Sequence, residues 1–205
     1  VRLQGAVYAH VPLHKLAHRI HRRTEGNPLF MVNIVDALLK QDAVDSQQID
    51  NSIPPTIRKM IERQFDHIHP DEQQVLAVAS VAGANFSAAV VAAGATVEVG
   101  AIETHCDELI RREQFLWRND RSPGLNRRGA GRYRFRHALY QEVIYERVPA
   151  SQKIAWHRRI GEHMESLYGR RAGEIVGELA VHFERGQEKW RAIRYYGQAA
   201  ERATR

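Results

Sequence analysis

Nearly everything periodic in this chain has a helical period, and only two short periodic stretches have another. The helical segments carry Leu13, Leu16, Ala17 and Ile20, then Phe30, Ile34, Ala37 and Leu38, then Ile57, Met60, Ile61, Phe65 and Ile68. They continue with Val75, Leu76, Val78, Ala79 and Ala82, and with Ile102, Cys106, Leu109 and Ile110. The exceptions are residues 115–118 and 132–135, where side chains alternate as on a half-buried strand. Such a pattern folds into a mainly α protein with one small β-hairpin.

Local punctuation divides the chain. Gly26 suits the end of a first helix and Pro28 the first turn of a second. Residues 41–52 are polar and aperiodic, a linker. Asp71 gives the helix after Pro70 an acidic first turn, residues 83–87 read as a turn, and Ser87 is placed to cap a short Ala/Val helix. Three helices and a hairpin, whose Gly- and Arg-rich tip covers residues 119–131, follow the order of a winged helix. A helix from His137 to about Val148 closes that module. Beyond it, one helix is lined by Ile154, His157, Ile160, Met164 and Leu167. A second carries Ile175, Leu179 and Phe183, and a third Trp190, Ile193, Tyr196 and Ala200. The last two read as a helical hairpin of tetratricopeptide type. One such pair cannot bury its faces alone, so further repeats are expected in a longer parent chain. The division is a helical lid at 1–50, a winged helix at 51–148 and tetratricopeptide-like helices at 149–205.

Composition narrows the function. The chain has 205 residues, 43% of them hydrophobic, a single cysteine and a net charge of +6. Its mean hydropathy is −0.48. No apolar run approaches the ~20 residues that span a bilayer, so no membrane role is expected. Cys106 has no partner for an internal disulfide, which points to the cytoplasm. The P-loop pattern, the dinucleotide-binding glycine pattern and the serine nucleophile elbow are all missing, so this segment is not expected to be an enzyme.

Four constellations could carry chemistry. His14, His18 and His21 share one helical face, but Arg19, Arg22 and Arg23 beside them repel a cation, and no metal site is assigned. Cys106 lies on an apolar face between Ile102 and Leu109 and reads as core. Arginines 118, 121, 127, 128, 132, 134 and 136 suit phosphates. The helix that would enter a DNA groove, however, presents Glu103, Asp107 and Glu108, so DNA contact by this segment is not expected. The fourth is His137, at a strand-to-helix junction where an imidazole can face a ligand or cap its helix.

In combination these motifs resemble the C-terminal part of STAND-class signalling ATPases, AAA+-related proteins of bacterial multidomain regulators. Thr24-Glu-Gly-Asn-Pro-Leu-Phe30 looks like the end of their nucleotide-binding domain, and Ile53-Pro-Pro-Thr-Ile-Arg58 like the start of their winged helix. Phe135-Arg-His-Ala-Leu-Tyr-Gln-Glu-Val-Ile-Tyr145 looks like the end of that winged helix, and Glu178-Leu-Ala-Val-His-Phe-Glu-Arg185 like the first repeats. The resemblance implies that Gly26 and Pro28 lie beside an adenine and that His137 contacts the β-phosphate of ADP. Ala138 departs from the acidic residue many relatives carry there. ATP or ADP with Mg²⁺ is implied for the parent protein, with none bound by this segment alone. The implied partners are the upstream nucleotide-binding domain, and self-association or a protein partner through the repeats. The implied role is a non-catalytic regulatory segment coupling nucleotide state to a repeat sensor and an output domain. The alternatives are a DNA-binding winged-helix regulator and a protein-interaction scaffold.

Overall fold

A computed structural model describes residues 13–39, 53–119 and 130–204. The fold is mainly α with a small three-stranded antiparallel sheet. The linker read at 41–52 and most of the hairpin tip, 120–129, lie outside the described residues. Contacts divide the chain into two compact units, Val1–Asp66 and His67–Arg205.

In the first unit, α1 (Leu13–Thr24) runs into α2 (Pro28–Leu39) through a tight turn, and α3 (Pro55–Asp66) follows. The turn is where the sequence places it. Thr24 Oγ1 donates back to Ile20 O at 2.8 Å, and the Asn27 N–H donates to Thr24 O at 2.8 Å. Gly26 sits at φ +76°, a left-handed conformation that costs a glycine little. Pro28, which has no N–H to satisfy, opens α2. Ile20, Phe30, Ile34, Ile57, Ile61 and Phe65 are buried, as their periodicity requires.

The second unit begins with α4 (Pro70–Ala82). Its first turn is held by a capping box. The Asp71 N–H donates to His69 Nδ1 at 3.3 Å, and the His69 N–H donates to Glu72 Oε2 at 3.2 Å. The cap is His69, and Asp71 with Glu72 forms the acidic first turn that the sequence places after Pro70. Residues 85–87, expected as part of a turn, form strand β1 (Asn85–Ser87). A three-residue strand has no period to read, and its partner lies some fifty positions away, so only the tertiary fold creates it. Ser87 caps α5 (Ala88–Ala95), accepting from the Val90 N–H at 3.3 Å. Then come α6 (Val99–Arg111), β2 (Leu116–Arg118) and β3 (Arg132–Phe135).

The sheet order is β1-β3-β2, with Phe86 opposite Tyr133 and Leu116 opposite Phe135. One face buries those four side chains, and Phe86 packs 5.9 Å from Tyr133 and 5.7 Å from Phe135. The other face carries Trp117 and Arg134, with the Arg136 guanidinium 3.7 Å over the Trp117 ring.

The remaining helices are α7 (Ala138–Arg147), α8 (Ala150–Tyr168), α9 (Val176–Arg185) after a 3₁₀ turn (Gly169–Ile175), and α10 (Lys189–Ala203). Helix α8 packs on α5 and on α9 alike. At the first contact the chains approach closely. A Cβ on Gly94 would stand 2.7 Å from Val78 Cγ1 and 3.2 Å from Ile160 Cγ1, and Arg159 Nη1 donates to Gly94 O at 3.1 Å. Helix α10 turns the other way from its most apolar stripe. Trp190 and Ile193 are 84% and 62% exposed, with Tyr196 and Ala200 outside as well, while Ala192 and Tyr195 are buried. Tyr195 stacks on Phe183 at 5.7 Å, and Arg191 and Arg194 reach Glu162 and Glu165 on α8. These contacts fix the helix rotation and leave the second stripe without cover. Leu167, also read as lining, is exposed. Among the described residues no helix is long and apolar enough to cross a membrane.

Candidate functional site

Gly26 and Pro28 belong to the first unit and His137 to the second. In the first, the α1–α2 turn leaves Pro28 exposed and Gly26 partly exposed. A flat pyrrolidine ring beside a residue lacking a side chain can accommodate a planar ligand.

His137 lies two residues beyond the end of β3 and caps α7. Its Nδ1 accepts from the Leu139 N–H at 3.0 Å, in extended backbone at φ −155°. That bond fixes the tautomer, because a neutral ring accepting at Nδ1 carries its proton on Nε2. The ring is only 3% exposed. A nucleotide therefore reaches it only in a conformation other than this one.

The remaining sequence candidates sort by geometry. His14, His18 and His21 are all exposed on α1. Among the described residues no group of three or more His, Cys, Asp or Glu side chains is placed to hold a metal ion. Cys106 is fully buried, and burial, aided by the charges of Asp107 and Glu103, pushes its thiol far above the usual range. Such a thiol is inert as a nucleophile. The carboxylates of α6 are turned to internal work. Glu103 accepts from the Gly131 N–H at 2.6 Å, and Asp107 accepts from Tyr133 Oη at 3.2 Å and pairs with Arg118 at 3.3 Å. Glu108 pairs with Arg111 and Arg112. Of the hairpin arginines, 121, 127 and 128 lie outside the described residues.

One polar cluster was not legible as such. His157 on α8 and His182 on α9 meet Nδ1 to Nδ1 at 3.0 Å, and His157 Nε2 lies 3.3 Å from Tyr145 Oη on α7. Both rings are buried. A hydrogen bond between two Nδ1 atoms needs one proton between them, so one ring donates and the other accepts from an unprotonated Nδ1. Burial holds the pKa of His157 down to about 3, with His182, Arg185 and Lys153 adding to the shift. Burial and then Arg185 lower His182 to about 4. The sequence signal was present, since His157 falls on the inner stripe between Ile154 and Ile160, but periodicity gave it no partner.

The pH consequence has a definite sign. The unfolded rings titrate near 6.5 while the folded rings stay neutral, so stability is full above 6.5. It falls as pH drops from 6.5 toward 4, by up to about 1.4 kcal/mol per pH unit per histidine. Urea unfolding at pH 7.5 and pH 5 checks this. The loss is expected to shrink in a His157→Gln/His182→Gln double variant, and equal loss in both proteins would contradict the assignment.

No family model matches the chain, and no solved structure matches it. It is similar to an uncharacterized protein of Rhizobium meliloti (strain 1021), 28% identical over 195 residues. That match covers 88% of this chain and 18% of the relative, so the chain spans less than a fifth of the length of the curated relative it matches.

Proposed function

We propose that this chain is a non-catalytic regulatory segment of a cytoplasmic STAND-type signalling ATPase, relaying nucleotide state to a helical repeat array. The observation that carries the reading is the double packing of α8, which is shared between the sheet-bearing module and the α9–α10 hairpin. Any displacement of that module is passed to the hairpin through one continuous helix, with the Gly94–Ile160 contact at one side and the His157–His182 contact at the other. The helix–strand–helix–helix–strand–strand order of residues 70–135 is that of a winged helix, which favours the reading. The uncovered stripe of Trp190 and Ile193 favours further repeats.

In this account Gly26 and Pro28 border the adenine, and His137 donates from Nε2 to a phosphate oxygen of ADP. The nucleotide supplies the charge that the neighbouring helix N-terminus favours. The rest of its site, with Mg²⁺, belongs to the upstream domain. DNA contact through α6 is disfavoured because Asp107 and Glu108 already engage Arg118, Arg111 and Arg112, the cations that would otherwise meet phosphates.

Two substitutions at His137 separate the phosphate contact from the cap. His137→Asn keeps an oxygen able to accept from the α7 amides, whereas His137→Ala removes cap and donor together. In the full-length parent protein both variants are expected to release ADP about tenfold faster, a contact worth about 1.4 kcal/mol. Only the alanine variant also loses about 1 kcal/mol of stability. Wild-type ADP release from the asparagine variant would reduce His137 to a cap.

A further inference from the structure

The sheet face turned away from the core has a composition of its own. Asn85, Arg134 and Trp117 stand opposite one another on the three strands and form an exposed row across them. Two strand spacings make that row roughly 10 Å wide. Trp117 is 39% exposed, so part of its ring is open to a ligand. Arg136 lays its guanidinium over the same ring at 3.7 Å and is held there by a hydrogen bond from Nη1 to Glu113 O. That acceptor is a neutral carbonyl and leaves the charge of Arg136 uncompensated.

The charge of this face is of one sign. Among the described residues the exposed Arg134 guanidinium makes no hydrogen bond or ion pair. The three strands contain no acidic residue. Glu103 and Asp107 of α6 are engaged by the Gly131 N–H, Tyr133 and Arg118. One exposed acid, Glu113, precedes β2, and a single carboxylate cannot offset two guanidinium groups. At the far end of the row Asn85 Oδ1 accepts from Asn119 Nδ2 at 3.2 Å, which leaves the Asn85 Nδ2 donor for a ligand.

A partner that fits must bring flat rings and negative charge together. An acidic peptide satisfies the arginines and leaves the indole unused, and an apolar peptide does the reverse. A nucleic acid strand supplies both, because bases stack on aromatic rings and guanidinium planes while phosphates take the cations. A duplex keeps its bases inside its own stack, so only unpaired bases reach the ring, and these are what RNA loops and bulges present. We propose that this face binds single-stranded RNA. One base stacks on the Trp117–Arg136 pair, the adjoining phosphate sits on Arg134, and Asn85 Nδ2 donates to a ribose hydroxyl. The contact is separate from the groove contact disfavoured for α6, because neither Arg134 nor Arg136 is paired with a carboxylate of that helix. It goes beyond the nucleotide reading and does not rest on it, since its test needs neither ADP nor the upstream domain.

The test is fluorescence anisotropy of a labelled, unstructured RNA of about 12 nucleotides, titrated with the 205-residue chain at ~50 mM salt. Saturable binding is expected at about 10–100 μM. Trp117→Ala is expected to weaken it about tenfold without changing its salt dependence, and Trp117→Phe, which keeps a ring, to restore most of the loss. Arg134→Ala is expected to lower the steepness of log affinity against log salt by about 0.7, the share of one phosphate on a single strand. Both positions are exposed, so neither alanine variant is expected to lower Tm. The net charge of +6 attracts any polyanion, and two controls separate that attraction from recognition. The same RNA annealed to its complement, and an oligoglutamate of equal charge, are each expected to bind at least about tenfold more weakly. No saturable binding up to ~1 mM would overturn the proposal, as would an affinity that both alanine variants leave unchanged. Duplex or oligoglutamate binding as tight as that of the single strand would overturn it too, and tighter binding of the matching DNA strand would overturn RNA as the occupant.

Discussion

Replacing Phe183 with alanine is expected to destabilise the second unit by about 3–5 kcal/mol. The ring is fully buried and stacks on Tyr195 with an interplanar angle of 8°. The Arg191 guanidinium lies 5.1 Å from its centroid on α10, and Arg191 in turn pairs with Glu162 on α8. One side chain therefore joins α9 to α10 and helps hold α10 on α8. Truncation removes the transfer free energy of the ring and leaves a hole that three helices cannot close without breaking these pairs. Phe183→Leu retains much of the volume and is expected to cost clearly less. Urea denaturation followed by circular dichroism measures both, and a loss under about 1 kcal/mol for the alanine variant would show that the hairpin is held elsewhere.

Arg112→Ala is expected to cost as much from a different cause. Glu72 is only 3% exposed, and its carboxylate is held by the Arg112 guanidinium and by the His69 N–H. Removing the arginine leaves a buried charge with one neutral donor, a loss of about 3–5 kcal/mol. Part of this is relieved because Arg112 itself is partly accessible to water. The converse change is instructive, since Glu72→Leu with Arg112→Leu removes both charges and is expected to come close to wild type. A double-mutant cycle on the two positions gives the coupling directly. Coupling below about 0.5 kcal/mol would place the pair among ordinary surface bridges.

Those two contacts also mark what the sequence could reveal and what it could not. The Phe183 helix was legible because Ile175, Leu179 and Phe183 recur every fourth residue, and burial follows period directly. The α1–α2 turn was legible because Gly26 and Pro28 each have few alternatives. Strand β3 was legible from the alternation of Tyr133 and Phe135 with arginines. The Glu72–Arg112 bridge joins residues forty positions apart, and no local rule pairs them. Strand β1 escaped for the same reason, as did the meeting of His157 with His182. Helix α10 shows a subtler failure. It carries two apolar stripes, and only the stacking of Tyr195 on Phe183 decides which one faces inward. At His137 the junction was legible, and its Nδ1 bond to the Leu139 amide needed coordinates.

The central claim is that nucleotide state is felt at the His137 junction and carried into α8. Hydrogen exchange in the full-length parent protein, compared between ADP and a non-hydrolysable ATP analogue, tests it most directly. The amides to follow are Leu139, bonded to His137, and those of α8 beside Gly94 and His182. The account predicts stronger protection of both segments with ADP, and loss of that difference in His137→Asn. Equal protection of both segments in the two nucleotide states would contradict it.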